Sequence, residues 1–216
     1  MKKEFWDDRW ESKTTGWDMG QVSPPLKAYI DQLSDKNIRI LIPGCGNAYE
    51  AQYLMEQGFK NVFIVEISNG AIDSFKSRYP DFPNDHIYHQ DFFELKGELK
   101  ENIVPFIASE NEERLPLFDL ILEQTFFCAI DPKNRKKYAI QMNHLLKTGG
   151  ILAGLMFDFP LVDGPPFGGS VEEYQENFKG FFDIQIMERA HNSIEPRQGR
   201  ELFVKLKALK IEVNLD

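Results

Sequence analysis

Several things are scarce in this chain. Of its 216 residues only Cys45 and Cys128 are cysteines. They stand far apart and without metal-ligand spacing, which argues against a disulfide framework or a cysteine-rich zinc site. The histidines, His86, His89, His144 and His191, show no ligand spacing either, so no metal is expected. No apolar run approaches the ~20 residues needed to cross a bilayer. The opening MKKEFWDDRWESK has lysines but no apolar stretch of a secretory leader. These absences lead to the expectation of a cytoplasmic protein with no membrane partner. Positive charge is also short: Lys and Arg number 25 against 34 Asp and Glu, a net charge of −9. That balance disfavours an extended phosphate-binding face and so speaks against nucleic acid as a partner. Internal repeats and low-complexity tracts are missing. Tryptophan is absent after position 17, because Trp6, Trp10 and Trp17 all fall in FWDDRWESKTTGWD.

What remains is a globular composition, 42% apolar with 18 phenylalanines, in a chain long enough to bury a sizeable core. A single domain is expected, with residues 1–34 as an N-terminal cap and 35–216 as the core. No spare apolar face is evident, so a monomer is expected. NIRILIPG (37–44) reads as a buried strand, and Asn47 with Glu50 reads as a capping-box variant opening a helix to about Gln57. NVFIVEIS (61–68) is a second strand, NGAIDSFKSRY a helix stopped at Pro80, and HIYHQDF around 86–92 a short third strand. The charged segment 94–117 is either an excursion or an insertion. FDLILEQ (118–124) is a fourth strand. A helix with Pro132 in its first turn should run to Lys147, ended by Gly149-Gly150. GILAGLMFDF is a fifth strand, followed by the loop PLVDGPPFGGS and a helix at 171–179. FFDIQIMERA and GRELFVKLKAL close the chain as two strands with no long helix between them. Alternating strands and helices give an α/β, Rossmann-like fold, its mostly parallel sheet ending in an antiparallel edge hairpin.

In such a fold ligands sit at the carboxyl ends of the strands. The turn after the first strand is PGCGNAYE, where Gly44 and Gly46 let backbone pass close to a ligand. A dinucleotide fingerprint would place a third glycine at position 49, which is Tyr49, and a Walker lysine is missing too. Glu66 ends the second strand, where an acidic side chain can accept from both ribose hydroxyls. The bland reading is an ordinary helix cap. Asp91 and Phe92 end the third strand, placed to meet an adenine amino group and ring, or simply to make a surface turn. Together these describe an adenosine site without a pyrophosphate cradle. That combination favours S-adenosylmethionine over NAD.

The stretches FWDDRWESKTTGWDMGQVSPPL, ILIPGCGNAYEAQYL, VEIS, EQTFFCAIDPKNRKKYA and GPPFGGS together resemble the thiopurine S-methyltransferase family. FFCAIDP and GPPFGG are most similar to its thiol, halide and thiocyanate branch. The similarity runs from about Trp6 to Lys207, and the tryptophan spacing is its specific element. It implies a seven-stranded methyltransferase that uses S-adenosylmethionine. Carried over, Trp6, Trp10 and Trp17 would line the cofactor site, Gly44 would contact the methionine end, Glu66 the ribose, and Asp91 with Phe92 the adenine, with Gly46 and Ile67 as further cofactor-binding positions. Gln124 matches a cofactor-contacting position that is arginine in thiopurine enzymes and often tyrosine in plant ones. Arg197 aligns with an arginine near the substrate, and Phe157 stands where some plant relatives carry tyrosine.

The substrate implied is a small molecule: a thiol or sulfide, thiocyanate or a halide, or alternatively a thiopurine-like aromatic thiol; the atypical Gln124 leaves a non-catalytic S-adenosylmethionine-binding protein as a further alternative. A thiolate or halide is already nucleophilic, so positioning and desolvation suffice and no dedicated general base is required. Phe126, Phe127, Phe157 and Phe167 are candidates for the pocket. Cys128 reads as a buried, inert thiol rather than a nucleophile, and Cys45 as a small packing residue. The N-terminal tryptophans have two readings, a plug on the core or a cover over the cofactor. An adenosine site otherwise open to water favours the cover.

Overall fold

A computed structural model describes residues 2–96 and 117–210. Its strands are β1 (Arg39–Pro43), β2 (Asn61–Glu66), β3 (Ile87–His89), β4 (Phe118–Gln124), β5 (Leu146–Phe157), β6 (Phe182–Arg189) and β7 (Glu201–Ala208). They form one seven-stranded sheet of order β3-β2-β1-β4-β5-β7-β6. The first five strands are parallel. β7 runs antiparallel between β5 and β6, as a closing pair without a crossover helix must.

Alternation along the apolar strands sends side chains to two cores. Leu41, Val65 and Ile121 pack with Tyr138, Met142 and Phe178, carried by α5 (Arg135–Leu145) and α6 (Val171–Phe178). Ile40, Ile42, Val62, Ile64 and Leu122 pack on the opposite face with Ala51, Leu54 and Phe75. Those belong to α3 (Tyr49–Glu56) and α4 (Asn69–Arg78), joined on that side by Ile30 of α2 (Pro24–Ile30). Parallel strands covered by helices on both faces need apolar side chains on both, which is why β1 reads as an almost continuous apolar run. The N-terminal helix α1 (Lys3–Glu11) has no buried residue and rests on α4, outside both cores. No described helix is long and apolar enough to cross a membrane.

Three local expectations fail for tertiary reasons. Asn47 does not cap α3; Ala48 precedes the helix with φ at +48°. The Asn47 side chain instead donates to Asp18 and accepts from Ser74, while Glu50 accepts from the Ser23 backbone N–H. The helix expected to reach Lys147 ends at Leu145 and passes directly into β5. Gly149 and Gly150 therefore lie inside that strand, where the pairing of β4 with β5 shifts register between Phe118 and Leu120. A Cβ at Gly150 would stand 3.0 Å from the Lys147 carbonyl oxygen and 3.1 Å from that of Phe118. The glycine serves an irregular strand rather than a helix end. Most of segment 94–117 lies outside the described residues.

Candidate functional site

β1 pairs with β2 on one side and β4 on the other. The connections leaving their carboxyl ends turn to opposite faces of the sheet and leave a crevice between them. A cavity of about 750 Å³ occupies it. Its wall follows the sheet order: Asp91 and Phe92 from the β3 end, Glu66 and Ile67 from β2, Gly44 and Gly46 from β1, Gln124 from β4, and Phe157 from β5. Arg197, its guanidinium 5.6 Å from the Phe157 ring centroid, also lines the cavity, as do Trp6, Trp10 and Trp17. Phe126 also lines the cavity. Phe127 does not: it is 1% exposed and packs edge-on to Tyr138 and Tyr174. As a pocket candidate Phe127 is corrected to core. Phe126 precedes the short 3₁₀ turn Phe127–Ala129 and its ring reaches the cavity, while Phe127 turns into the core between α5 and α6. Phe167 is likewise off the cavity wall; its backbone N–H donates to the Cys128 carbonyl at 2.7 Å.

The glycine turn and Glu66 form one unit. Glu66 Oε2 accepts from the Gly46 N–H at 2.9 Å, and Oε1 from those of Ile67 and Ser68 at 2.8 and 2.9 Å. Burial pushes its carboxyl up from the ordinary range, an effect partly offset by those three donors. Gly44 and Gly46 both have left-handed φ, +56° and +52°, and a Cβ at Gly44 would overlap the Phe126 ring. Only glycine permits both the turn and that close approach. Tyr49, standing where a third dinucleotide glycine would be, lines the cavity with its ring under the Arg78 guanidinium. At the β3 end Asp91 accepts from the Phe93 N–H at 2.8 Å.

The N-terminal segment is tied down by long-range polar contacts. Asp7 accepts from Ser68 Oγ at 2.7 Å and the Asn69 N–H at 3.0 Å, satisfying the free amino end of α4 from outside. Burial raises the Asp7 carboxyl, but hydrogen bonds from Lys3, Ser68 and Asn69 outweigh it and leave it below its ordinary value. Trp10 lies against Gly70, where a Cβ would stand 2.6 Å from the Trp10 Cβ. Trp17 meets Trp6 and Trp10 edge-on at 5.5 and 6.2 Å. Asp18 accepts from Asn47 Nδ2 at 2.6 Å. Arg197 Nη2 donates to the Trp17 carbonyl at 2.7 Å, with Nη1 directed at Glu201 at 3.3 Å.

The two ends of the cavity differ chemically. The portion under β1, β2 and β3 carries Glu66 and Asp91, acceptors suited to ribose and amino groups. Among the described residues, the wall supplied by β4, β5 and the segments after them includes Gln124, Thr125, Phe126, Cys128, Asn134, Lys137, Phe157, Pro165 and Pro166, with no carboxylate or imidazole. Burial pushes the Cys128 thiol up to about 12, so it stays protonated. The Cys45 thiol is also pushed well up by burial. Gln124 Oε1 accepts from Thr125 Oγ1 at 2.7 Å, and its buried Nε2 has no hydrogen-bond partner. The sequence reading missed Thr125, Pro165 and Pro166 on this wall. All three sit in segments that leave strand ends, which was the available signal.

A family model described as thiopurine S-methyltransferase matches residues 1–213. The chain is 33% identical over 201 residues to "Probable thiol methyltransferase 2" of Arabidopsis thaliana, covering 91% of this chain and 81% of that one. It is 31% identical over 209 residues to "Thiocyanate methyltransferase 1" of the same plant, covering 94% and 84%. Among solved structures it is similar to a Burkholderia thailandensis 1,6-didemethyltoxoflavin-N1-methyltransferase crystallised with S-adenosylhomocysteine. That match has a TM-score of 0.64 at 15% identity and covers 96% of this chain and 87% of that one.

Proposed function

The chain belongs to the thiopurine S-methyltransferase family, and on that premise we propose that it methylates a small, soft anion: bisulfide or another thiolate, thiocyanate, or a halide. Family and fold make it an S-adenosylmethionine-dependent methyltransferase. The observation that carries the choice of acceptor is the wall beyond β4, where Phe126, Phe157, Pro165 and Pro166 stand beside Gln124, Thr125, Asn134 and Lys137 and, among the described residues, no carboxylate or imidazole is present. An alcohol or amine arriving protonated would find no carboxylate or imidazole there to take its proton. A nucleophile that is already an anion needs none. The names of the two plant relatives point the same way.

The residues present fit the cofactor. Glu66 is an acceptor at the β2 end, the glycine turn leaves room where side chains would intrude, and Gln124 Nε2 is a donor without a partner. In this reading Glu66 and Ile67 hold the ribose, Asp91 and Phe92 the adenine, and Gly44, Gly46 and Gln124 the methionine end. Bound there, S-adenosylmethionine supplies a methyl group on a sulfonium, open to in-line displacement. Phe126 and Phe157 exclude water from the acceptor, which strengthens an anion's attack. The indoles of Trp6, Trp10 and Trp17 line the site, where a ring face turned to a cationic ligand attracts it. Arg197 places one positive charge near the acceptor, partly neutralised by Glu201.

The working unit in this proposal is a monomer, since Leu161, Val162 and Leu209 are the exposed large apolar side chains among the described residues. A two-chain mass in light scattering at working concentration would overturn that part. The acceptor is tested by incubating the protein with S-adenosylmethionine and bisulfide, thiocyanate, iodide, thiophenol or a thiopurine, and following S-adenosylhomocysteine. Turnover with the small anions is expected. Cofactor binding without turnover on any of them would sink the reading.

A further inference from the structure

Behind the acceptor wall lies a buried acid that the proposed chemistry does not use. Glu123, next to last in β4, is 0% exposed and does not line the cavity. Its Oε1 accepts from the backbone N–H groups of Phe126 and Phe127, both at 2.8 Å, and its Oε2 accepts from the Tyr138 hydroxyl at 2.5 Å. Across the sheet, a Cβ at Gly154 of β5 would collide with the Glu123 stem. The neighbouring strand thus lacks a side chain where this one needs space. The turn that the carboxylate holds begins at Thr125, whose φ is +57°. A β-branched residue rarely adopts that left-handed conformation unless its surroundings impose it.

We propose that Glu123 is a positioning residue for methyl transfer, its carboxylate holding the Thr125–Phe127 turn so that the Phe126 ring stays against Gly44. Phe126 and Gly44 stand on the cavity wall between its two ends, and Gln124 and Thr125 flank them. Releasing the two N–H groups frees the strained turn and moves the wall of the acceptor site. The proposal rests on the small-anion reading above.

The groups facing this carboxylate are Tyr138 from α5 and Cys128 from the turn itself; β5 presents only Gly154. Tyr138 is held protonated by burial beside Glu123. Burial pushes the Glu123 carboxyl up to about 7 against its three donors. Its hydrogen bonds are charge-assisted above neutrality and weaker below it.

The test uses iodide and thiocyanate as acceptors, because neither titrates between pH 6 and 8.5. Wild-type kcat is expected to rise about tenfold from pH 6 to pH 8, as one ionisation near neutrality requires. Glu123→Gln should lose that pH dependence and lower kcat by up to about 100-fold. Its KM and its S-adenosylhomocysteine affinity should stay within about twofold of wild type. A readout independent of turnover is NMR of the backbone amides: the Phe126 and Phe127 signals should titrate together near neutral pH in wild type and not in Glu123→Gln. If Glu123→Gln fails to fold, Tyr138→Phe replaces it. That variant keeps the two amide bonds and should move the shared titration upward, because the carboxylate has lost a donor. Amides that do not titrate, or a Glu123→Gln variant that keeps the wild-type pH profile, would overturn the proposal. Wild-type protein inactive on every acceptor while the amides titrate would instead defeat the small-anion reading.

Discussion

Gly70→Ala should lower cofactor affinity without harming the fold, two effects that usually travel together. Gly70 lies in the first turn of α4, and a Cβ there would stand 2.6 Å from the Trp10 Cβ. Comfortable carbon–carbon contacts begin near 3.5 Å, so α1 must retreat by roughly 1 Å. α4 itself does not suffer, because alanine is a better helix former than glycine by up to about 1 kcal/mol. The retreat loosens the edge contact of Trp10 with Trp17 at 6.2 Å and the bonds from Ser68 and Asn69 to Asp7. An edge-on aromatic pair contributes about 0.5–1.5 kcal/mol and each hydrogen bond a net of about 0.5–1.5 kcal/mol. Losing part of these should weaken S-adenosylhomocysteine binding by about 1.5–3 kcal/mol, roughly 10- to 150-fold. Since α1 has no buried residue, the melting temperature of the free protein should move by only a few degrees. Calorimetric titration and thermal melts measure the two quantities separately. All three tryptophans lie in this segment, so ligand-induced change in their emission should shrink in parallel. Unchanged affinity would refute the covering role of the N-terminal segment. A collapsed melting temperature with affinity intact in the folded fraction would show that the tryptophans are a core plug.

Two further outcomes follow from buried carboxylates. Glu66→Gln keeps the shape but replaces one acceptor oxygen with a donor, so S-adenosylhomocysteine affinity should fall by about 1–3 kcal/mol; titration calorimetry showing no loss would remove Glu66 from the ribose site. Glu123 has a carboxyl raised from 4.5 to about 7 in the folded chain, so the folded state holds its proton over a range where the unfolded state has released it. Stability from this group is therefore present below about pH 4.5 and lost as pH rises toward 7, by about 3 kcal/mol. Urea unfolding should show wild type losing more stability between pH 5 and pH 8 than Glu123→Gln; parallel losses would mean that Glu123 does not titrate there.

The sheet was legible because long apolar runs such as NVFIVE and FDLILEQ leave a buried strand few alternatives, and the strand ends then locate the cavity. Gly44, Glu66 and Asp91 could be placed on its wall from position alone. Contacts set by distant parts of the chain were not legible. Nothing local says that Asp7 reaches the start of α4, 61 and 62 residues away, or that Ala48 rather than Asn47 precedes α3. Phe126 and Phe127 are chemically identical neighbours, and only the turn held by Glu123 decides which one faces the cavity. The signal for Glu123 was present, an acid inside an otherwise apolar strand end, but its partner Tyr138 comes from a helix that sequence alone does not dock.

The central claim, methyl transfer to a small preformed anion at a wall without carboxylate or imidazole, is tested most directly by kcat/KM for bisulfide, thiocyanate and iodide against a thiopurine under one set of conditions. The account predicts at least one small anion above the thiopurine by about tenfold or more, roughly 1.4 kcal/mol in transition-state binding. Turnover confined to the thiopurine, or to an acceptor that must first lose a proton, would contradict it.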